Sequence, residues 1–422
     1  MLDIKLIREN PDVVRESLRK RNDSTSILDE LISLDNRYRQ ILTQTEELRA
    51  ELKETSNTLG KIKEKPPALI AEMRELSNRI QAQQSEVTSL DTKVKECLLQ
   101  IPNIPQASVP EGKSDKDNTV VSQSGTIRQF DFKPLPHWDL GEALGIFDFQ
   151  RGVKLSGTRF YILKGAGARL ERALIAFMLD IHVREHGYTE MYCPYMVKRE
   201  CMVSSGNLPK FADNLYHDDE DDLWFIPTAE VPLTNLYRGE ILEPKTLPLH
   251  YVAYTACFRR EKMSAGKDTK GIKRGHQFDK VEMYKFVEPD TSNDELEKML
   301  HDATDICVKL DIPYRVIQIC TGDLGFNSTK TYDIEMWAPG CEEWLEVSSC
   351  SNCGDFQARR ANIRYRTESG ARPQFMHTLN GSGLALPRVL ISVLENYQQA
   401  DGSITVPEVL RSFMGVDIIK KE

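Results

Sequence analysis

From Leu31 onward, apolar and small residues recur at alternating steps of three and four: Leu31, Leu34, Tyr38, Ile41, Thr45, Leu48, Leu52, Thr55, Leu59 and Ile62. That spacing is a heptad seam, the mark of a helix packed along one stripe. Lys65-Pro66-Pro67 interrupts it. Proline donates no helical hydrogen bond and restricts the residue before it. A second seam follows through Leu69, Met73, Leu76, Ile80, Gln83, Val87, Leu90, Val94, Cys97 and Ile101. Two equal seams about one breaker predict an antiparallel two-helix coiled coil, an arm roughly 48 Å long at about 1.5 Å per residue. Thr45, Thr55 and Gln83 sit in the seam, so the arm should be only modestly stable. By itself it reads as a dimerisation or spacer element. Lys61, Lys63 and Lys65 cluster at its tip, where a solvated turn explains them equally well.

Beyond Ile101-Pro102-Asn103-Ile104-Pro105 the pattern changes. Val109 to Ser124 is rich in Ser, Asp, Lys and Gly, which is linker chemistry. The expected organisation is a helical arm over 1–108, a linker over 109–125 and a mixed domain over 126–422. In that domain, Arg169–His186, Leu296–Leu310 and Leu384–Gln398 predict helices. Glu190–Val197, Leu223–Ile226, Tyr251–Phe258, Lys280–Val287, Tyr314–Ile319, Tyr332–Trp337 and Trp344–Ser348 predict strands. Strands separated by long turns, with few βαβ alternations, favour an α+β fold: an antiparallel sheet flanked by helices. Neither G-x-x-x-x-G-K-[ST] nor a strand-linked G-x-G-x-x-G occurs, so any nucleotide must be held by another kind of cradle.

Composition changes this picture little. The 422 residues carry 55 basic and 64 acidic side chains, a net charge of −9. This balance argues against a polyanionic partner. No apolar run approaches the ~18 residues needed to cross a bilayer. The opening Met1-Leu2-Asp3-Ile4-Lys5 lacks an apolar signal core. A cytoplasmic enzyme is the expectation, with no membrane partner. The nine cysteines include Cys350 and Cys353 in a C-x-x-C, with Cys341 nearby. A zinc site wants a second pair, so ordinary structural cysteines are expected.

Local chemistry is more telling. Arg259 to Arg274 holds seven basic and two acidic residues, a net of +5. It lies between two strand-like runs. A cationic glycine-containing loop beside a sheet suits a polyphosphate, since arginine offers two donors at once. An exposed basic hairpin is the plain alternative. If Arg259 and Glu261 lie on one extended strand they share a face, pairing a cation with an acceptor for an exocyclic amine. Phe278 could stack on a base. Arg388 opens a helix, where the dipole disfavours a cation, so a ligand or carboxylate partner is expected. Gly381 and Gly383 precede it and allow close packing. Glu346 and Ser348 share a strand face by period two, with Ser349 at or near the strand end. Such oxygens suit Mg²⁺ between phosphates, although edge-strand polarity is the simpler reading. Thr228-Ala229-Glu230 and Glu282 supply carboxylates for an ammonium substrate. Asp218 to Asp222 reads as a solvated hairpin tip.

Taken together, MLDIKLIREN, the paired-helix arm, TAEVPL, CFRRE with GHQFDKVEMYKF, EVSSCSNCGDFQARR, LNGSGLALPR and ENYQQADGSITVPEVLRSFM resemble the seryl-tRNA synthetase family of class II aminoacyl-tRNA synthetases. The resemblance runs over essentially the whole chain. It implies that Arg259 grips the ATP α-phosphate, that Glu261 meets the adenine amino group, and that Phe278 and Arg388 sandwich the ring. It places Gly275 against adenine and Arg274 on the outer phosphates. Arg260, Val347 and Ser348 fall within the same ATP-binding motifs, and Glu346 and Ser349 match Mg²⁺ ligands. For L-serine it implies Thr228, Ala229, Glu230, Arg259, Glu282, Asn380 and Ser382. Arg259 and Arg388 become the catalytic pair. Two small departures, Gly275 and Lys262, bear on loop conformation. The implied partners are tRNA(Ser), tRNA(Sec) where such a tRNA exists, and a second copy in a homodimer whose arm reaches the tRNA body. RNA contact would rest on that arm's shape and on basic strips, the loop above and Arg359, Arg360, Arg364 and Arg366. Two rivals remain at this level: a paralogue that activates an amino acid without charging tRNA, and a scaffold with an inactive globular half.

Overall fold

The structure, a computed structural model, describes residues 1–62, 66–262 and 270–421. It divides into two compact units, Met1–Pro102 and Asn103–Glu422.

In the first unit, α1 (Ile4–Glu9) and α2 (Pro11–Lys20) precede two long helices, α3 (Ser26–Lys61) and α4 (Pro67–Leu98). The seam residues face inward as their spacing requires. Leu31, Leu48, Leu76, Val87 and Leu90 are buried, while Leu52, Thr55 and Leu59 nearer the tip are half-buried. Thr45 is fully buried and satisfied: its hydroxyl donates to the Ile41 carbonyl at 2.8 Å and to Gln83 Oε1 at 3.2 Å. Buried Asp35 is held by Arg8 in two bonds of 2.9 and 2.6 Å and by Arg39 at 3.1 Å. Lys63 and Lys65 of the expected tip cluster lie outside the described residues.

The second unit is built on an eight-stranded sheet. Its strands are β1 (Thr119–Ser124), β2 (Thr189–Glu190), β3 (Leu249–Phe258), β4 (Gln277–Val287), β5 (Tyr314–Gln318), β6 (Lys330–Ala338), β7 (Glu343–Asn352) and β8 (His377–Ala385). The order is β1-β5-β6-β7-β8-β4-β3-β2, antiparallel except for the short β2 beside β3. The main helices are α5 (Ala166–Arg184), α6 (Ser292–Lys309) and α7 (Leu386–Tyr397). Strand alternation sorts neighbours onto opposite faces. Val281, Met283 and Val287 of β4 join Leu170 and Leu174 of α5, Met299 of α6 and Val389 and Val393 of α7 in one core. Tyr284 and Phe286 join Tyr251, Ala253 and Ala358 in a second core.

Three expectations need correction. The segment 109–125 is not a free linker: β1 lies inside it and pairs with β5. All six β1 residues are exposed, so no buried face marks the strand. Glu190–Val197 is not one strand. Only Thr189–Glu190 and Met196–Lys198 pair, in different sheets, because Pro194 between them has no N–H to give. Leu379–Ala385 is strand β8 near the middle of the sheet, hidden by its glycines. Gly381 is required there: a Cβ would lie 2.8 Å from Cys350 Sγ and 3.0 Å from Met299 Sδ. Cys350 and Cys353 are buried free thiols. Asp218 to Asp222 lies at the expected hairpin tip, between strands His217–Asp218 and Leu223–Phe225. Among the described residues no helix is long and apolar enough to cross a membrane.

Candidate active site

β4 carries one wall of the site. Phe278, Lys280 and Glu282 alternate along it, opposite Cys257, Thr255 and Ala253 of β3. They therefore share a face. On the other side β8 places Ser382 opposite Glu282 and Asn380 opposite Tyr284. β7 adds the third strand, and here the register shifts. Ile334 of β6 pairs Ser348, but Glu335 pairs Glu346, leaving Val347 as the extra residue of a bulge. A bulge resets the alternation. Glu346 and Ser349 thus reach the same cavity, whereas the expected pair Glu346 and Ser348 does not share it. Ser348 is buried and donates to the Ser382 carbonyl at 2.5 Å.

These strands, the N-terminus of α7 and the flanking loops enclose a cavity of about 660 Å³. It brings together Thr228, Glu230, Arg259, Glu261, Arg274, Gly275, Phe278, Glu282, Glu346, Ser349, Asn380, Ser382 and Arg388. Four expected residues are elsewhere. Ala229 is core, as is Val347. Ser348 is turned inward by the bulge. Arg260 donates to the Leu215 carbonyl at 2.8 Å and lies over the Tyr216 ring.

The cations are anchored. Arg259 Nε donates to the Pro227 carbonyl at 3.2 Å, and its guanidinium lies 5.1 Å from the Phe278 ring centre. Its backbone is clamped by His276, whose carbonyl accepts the Arg259 N–H at 2.9 Å. Arg388 has the carboxylate its position demands: Nη1 lies 3.2 Å from Glu346 Oε2 and donates to the Glu346 carbonyl at 2.7 Å. Arg274 lies 3.8 Å from Glu261. Glu261 is not on β3, which ends at Phe258. It has a φ of 51°, so it does not continue the extended strand and the shared-strand geometry with Arg259 is lost.

The opposite end is a carboxylate pair, Glu282 buried and Glu230 half-buried. Glu230 Oε1 accepts from Gln357 Nε2 at 2.6 Å and from Asn380 Nδ2 at 3.1 Å. Thr228 Oγ1 accepts the Glu230 N–H at 3.2 Å. Burial pushes the Glu230 carboxyl up to about 7, and nearby Glu282 adds to the rise. Lys280, Gln357 and Arg259 oppose it. Glu282 is ion-paired with Lys280.

The sequence reading missed Lys280 and Lys273, which line the cavity, and Gln357 behind it. Period two from Phe278 to Glu282 would have found Lys280. Gln357 had no such signal. Its role comes from a network in which its Oε1 accepts from Thr378 at 2.7 Å and from Tyr284 at 3.1 Å. The expected basic strip is not a free surface. Arg359 bonds Asp355 at 2.7 Å, and Arg366 bonds the Ala371 carbonyl. Arg360 donates to the Val203 and Leu208 carbonyls, both at 3.1 Å, and burial lowers its guanidinium to about 10.

Comparison with known proteins finds relatives along the whole chain. Residues 1–105 match the family model described as the seryl-tRNA synthetase N-terminal domain. Residues 211–397 match the tRNA synthetase class II core domain (G, H, P, S and T). The chain is 61% identical over 420 residues to the serine–tRNA ligase of Dehalococcoides mccartyi, covering 100% of both chains. It resembles the crystal structure of seryl-tRNA synthetase from Pyrococcus horikoshii complexed with ATP, with a TM-score of 0.93, 41% identity and 100% coverage of both. The cytoplasmic serine–tRNA ligase from Naegleria fowleri in complex with AMP is similar at a TM-score of 0.88 and 32% identity, covering 100% of this chain and 99% of that one.

Proposed function

The chain belongs to the seryl-tRNA synthetase family, and we propose from that premise how its cavity performs the family's reaction. The protein is a serine–tRNA ligase. It joins L-serine to ATP and passes the seryl group to tRNA(Ser). In the first step a serine carboxylate oxygen attacks the α-phosphorus. The bond to the bridging oxygen breaks, pyrophosphate leaves, and seryl-adenylate remains. In the second, a hydroxyl of the tRNA's terminal ribose attacks the acyl carbon, AMP leaves with the bond electrons, and the hydroxyl proton is released. No protein nucleophile takes part.

One observation carries the residue assignment: a single cavity separates a cationic end from a carboxylate end. Arg259, Arg274 and Arg388 suit the triphosphate, with Arg259 and Arg388 neutralising charge that develops at the α-phosphate. Phe278 and Arg388 would bracket the adenine, and Glu261 and Gly275 would meet its edge. Glu230 and Glu282, with Thr228, suit the serine ammonium. Asn380 and Ser382 are placed for its hydroxyl. A site built to bond that hydroxyl leaves polar groups unpaired when alanine binds. Positioning both reactants supplies the remaining rate.

Mg²⁺ fits the residues present. Glu346 and Ser349 flank the bulge and both offer hard oxygens to the cavity. Asp333, opposite Ser349, has a buried Oδ1 without a partner, and burial beside Glu346 pushes its carboxyl well up. The ion when bound would neutralise phosphate oxygens. We extend the reading to tRNA(Sec) as a second acceptor, to a cytoplasmic location, and to an arm–catalytic boundary at Pro102 rather than residue 108. A homodimer is supported by Tyr192, 91% exposed beside edge strand β2, an aromatic surface a second copy would cover.

The test is serine-dependent ATP–pyrophosphate exchange. Serine alone among the amino acids should support it, and Arg259→Ala should lower it at least about 100-fold. Exchange that survives Arg259→Ala would overturn the central assignment.

A further inference from the structure

Glu395 lies on α7, seven residues after Arg388, and is fully buried. Its two oxygens receive five donors. Oε1 accepts the His137 backbone N–H at 2.8 Å, His137 Nδ1–H at 3.0 Å and the Cys341 thiol at 3.0 Å. Oε2 accepts the backbone N–H groups of Gly340 and Cys341 at 2.8 and 3.0 Å. The far side of the same imidazole faces the basic loop. His137 Nε2 accepts the backbone N–H of Ile272 at 3.3 Å. That role settles the tautomer, because Nε2 must be bare and the proton must sit on Nδ1. Gly271 is pressed against the same nitrogen. A Cβ there would lie 2.0 Å from Nε2, and the φ of 70° suits glycine.

Ile272 stands immediately before Lys273 and Arg274, both of which line the cavity. Lys273 Nζ is in turn fixed to both oxygens of Glu343, the first residue of β7, at 2.8 Å. Three elements therefore converge on one buried pair: the helix bearing Arg388, the loop stem bearing Arg274, and the turn that leads into β7 and Glu346.

We propose that the His137–Glu395 pair is a positioning device that holds the loop stem, and so Arg274, in register with Arg388 for ATP. The proposal rests on the reading of Arg274 and Arg388 as ATP-binding residues. His137, Cys341 and Glu395 also have ligand atoms within 4.8 Å of one another, a spacing that a cation could use. A cation on Nδ1 would drive the ring proton to Nε2, straight at the Ile272 N–H. Burial beside Glu395 also keeps the Cys341 thiol protonated, as a donor. The tautomer and the thiol both fit a hydrogen-bonded hub.

The experiment separates the two ends of the imidazole. In His137→Asn the side-chain amide replaces Nδ1 and keeps the Glu395 bond, but nothing reaches Ile272. In His137→Gln an oxygen returns near the place of Nε2. Pyrophosphate exchange should show the KM for ATP raised about tenfold in H137N, the worth of one buried hydrogen bond. The KM for serine should stay within about twofold. Amide exchange at Ile272 should quicken in H137N. H137Q should bring the ATP KM and the Ile272 exchange back to within about threefold of the parent. Gly271→Ala attacks the same contact from the loop side and should reproduce the ATP-specific rise, which keeps the test intact if H137N does not fold. An unchanged ATP KM, equal rises for ATP and serine, or a fall in Tm alone would overturn the proposal. Arg274→Ala is the control: if its KM for ATP is normal, the underlying site reading fails, while Ile272 exchange still reports on His137.

Discussion

Glu230 is pulled in opposite directions by its surroundings. Burial and Glu282 raise its carboxyl to about 7, and Gln357, Lys280 and Arg259 hold it down. Only the ionised form attracts the serine ammonium. As the pH falls below about 7 the carboxylate takes up a proton, so the KM for serine should rise, by up to about tenfold per pH unit. Removing the 2.6 Å bond from Gln357 takes away a charge-assisted donor. Gln357→Leu should therefore move the inflection to higher pH and raise the serine KM throughout, with little effect on the KM for ATP. Serine KM values from pH 5.5 to 8.5 decide the matter, and a profile that is flat in both proteins would refute it. Arg259, Arg388, Glu282 and Glu346 were legible from residue type and local charge, although period two misplaced Glu261, which lies beyond the end of β3. Ser348, Val347 and Gln357 were not. A bulge moves two of them off the expected face, and the third acts through contacts made far along the chain.

The elements show the same division by cause. α3 and α4 were readable because a seam buried on one side leaves a 3-4 rhythm in the sequence. β3 and β4 were readable from their apolar runs. β1 and β8 were missed for opposite reasons: one has no buried face, and the other needs glycine where Cys350 and Met299 crowd it. The arm also permits a test that the cavity does not. Its helices pack on each other and carry none of the cavity's residues. Replacing Asp35 to Val94 with a short linker should leave serine-dependent pyrophosphate exchange within about threefold of the parent, because the activation chemistry needs nothing from it. Aminoacylation of tRNA(Ser) should fall by more than about 100-fold, since helical RNA is read chiefly through shape and backbone contacts. Equal losses in both assays would make the arm a structural element, which is the plainer reading of its seam.

For the whole molecule, the net charge of −9 pointed away from a polyanionic partner, and the family membership shows why that inference was unsafe. A sum over 422 residues hides a cavity where Arg259, Lys273, Arg274 and Arg388 gather at one end. The same local view limits how tRNA can be held. Arg359, Arg360 and Arg366 are engaged in internal bonds. In the arm, Arg37 pairs with Glu86 and Lys95 with Asp91, each at 2.6 Å, and Arg39 pairs with Asp35. Cations held in this way must give up a partner before they meet phosphate, and each phosphate contact contributes close to one unit of salt slope. The logarithm of the tRNA(Ser) binding constant should therefore fall with the logarithm of salt concentration at a slope shallower than about −4. Binding isotherms between 50 and 300 mM potassium chloride, about a sixfold range, measure it directly. A slope of about −6 or steeper would mean that the paired arginines and lysines release their carboxylates to meet phosphate, and that charge rather than shape dominates recognition.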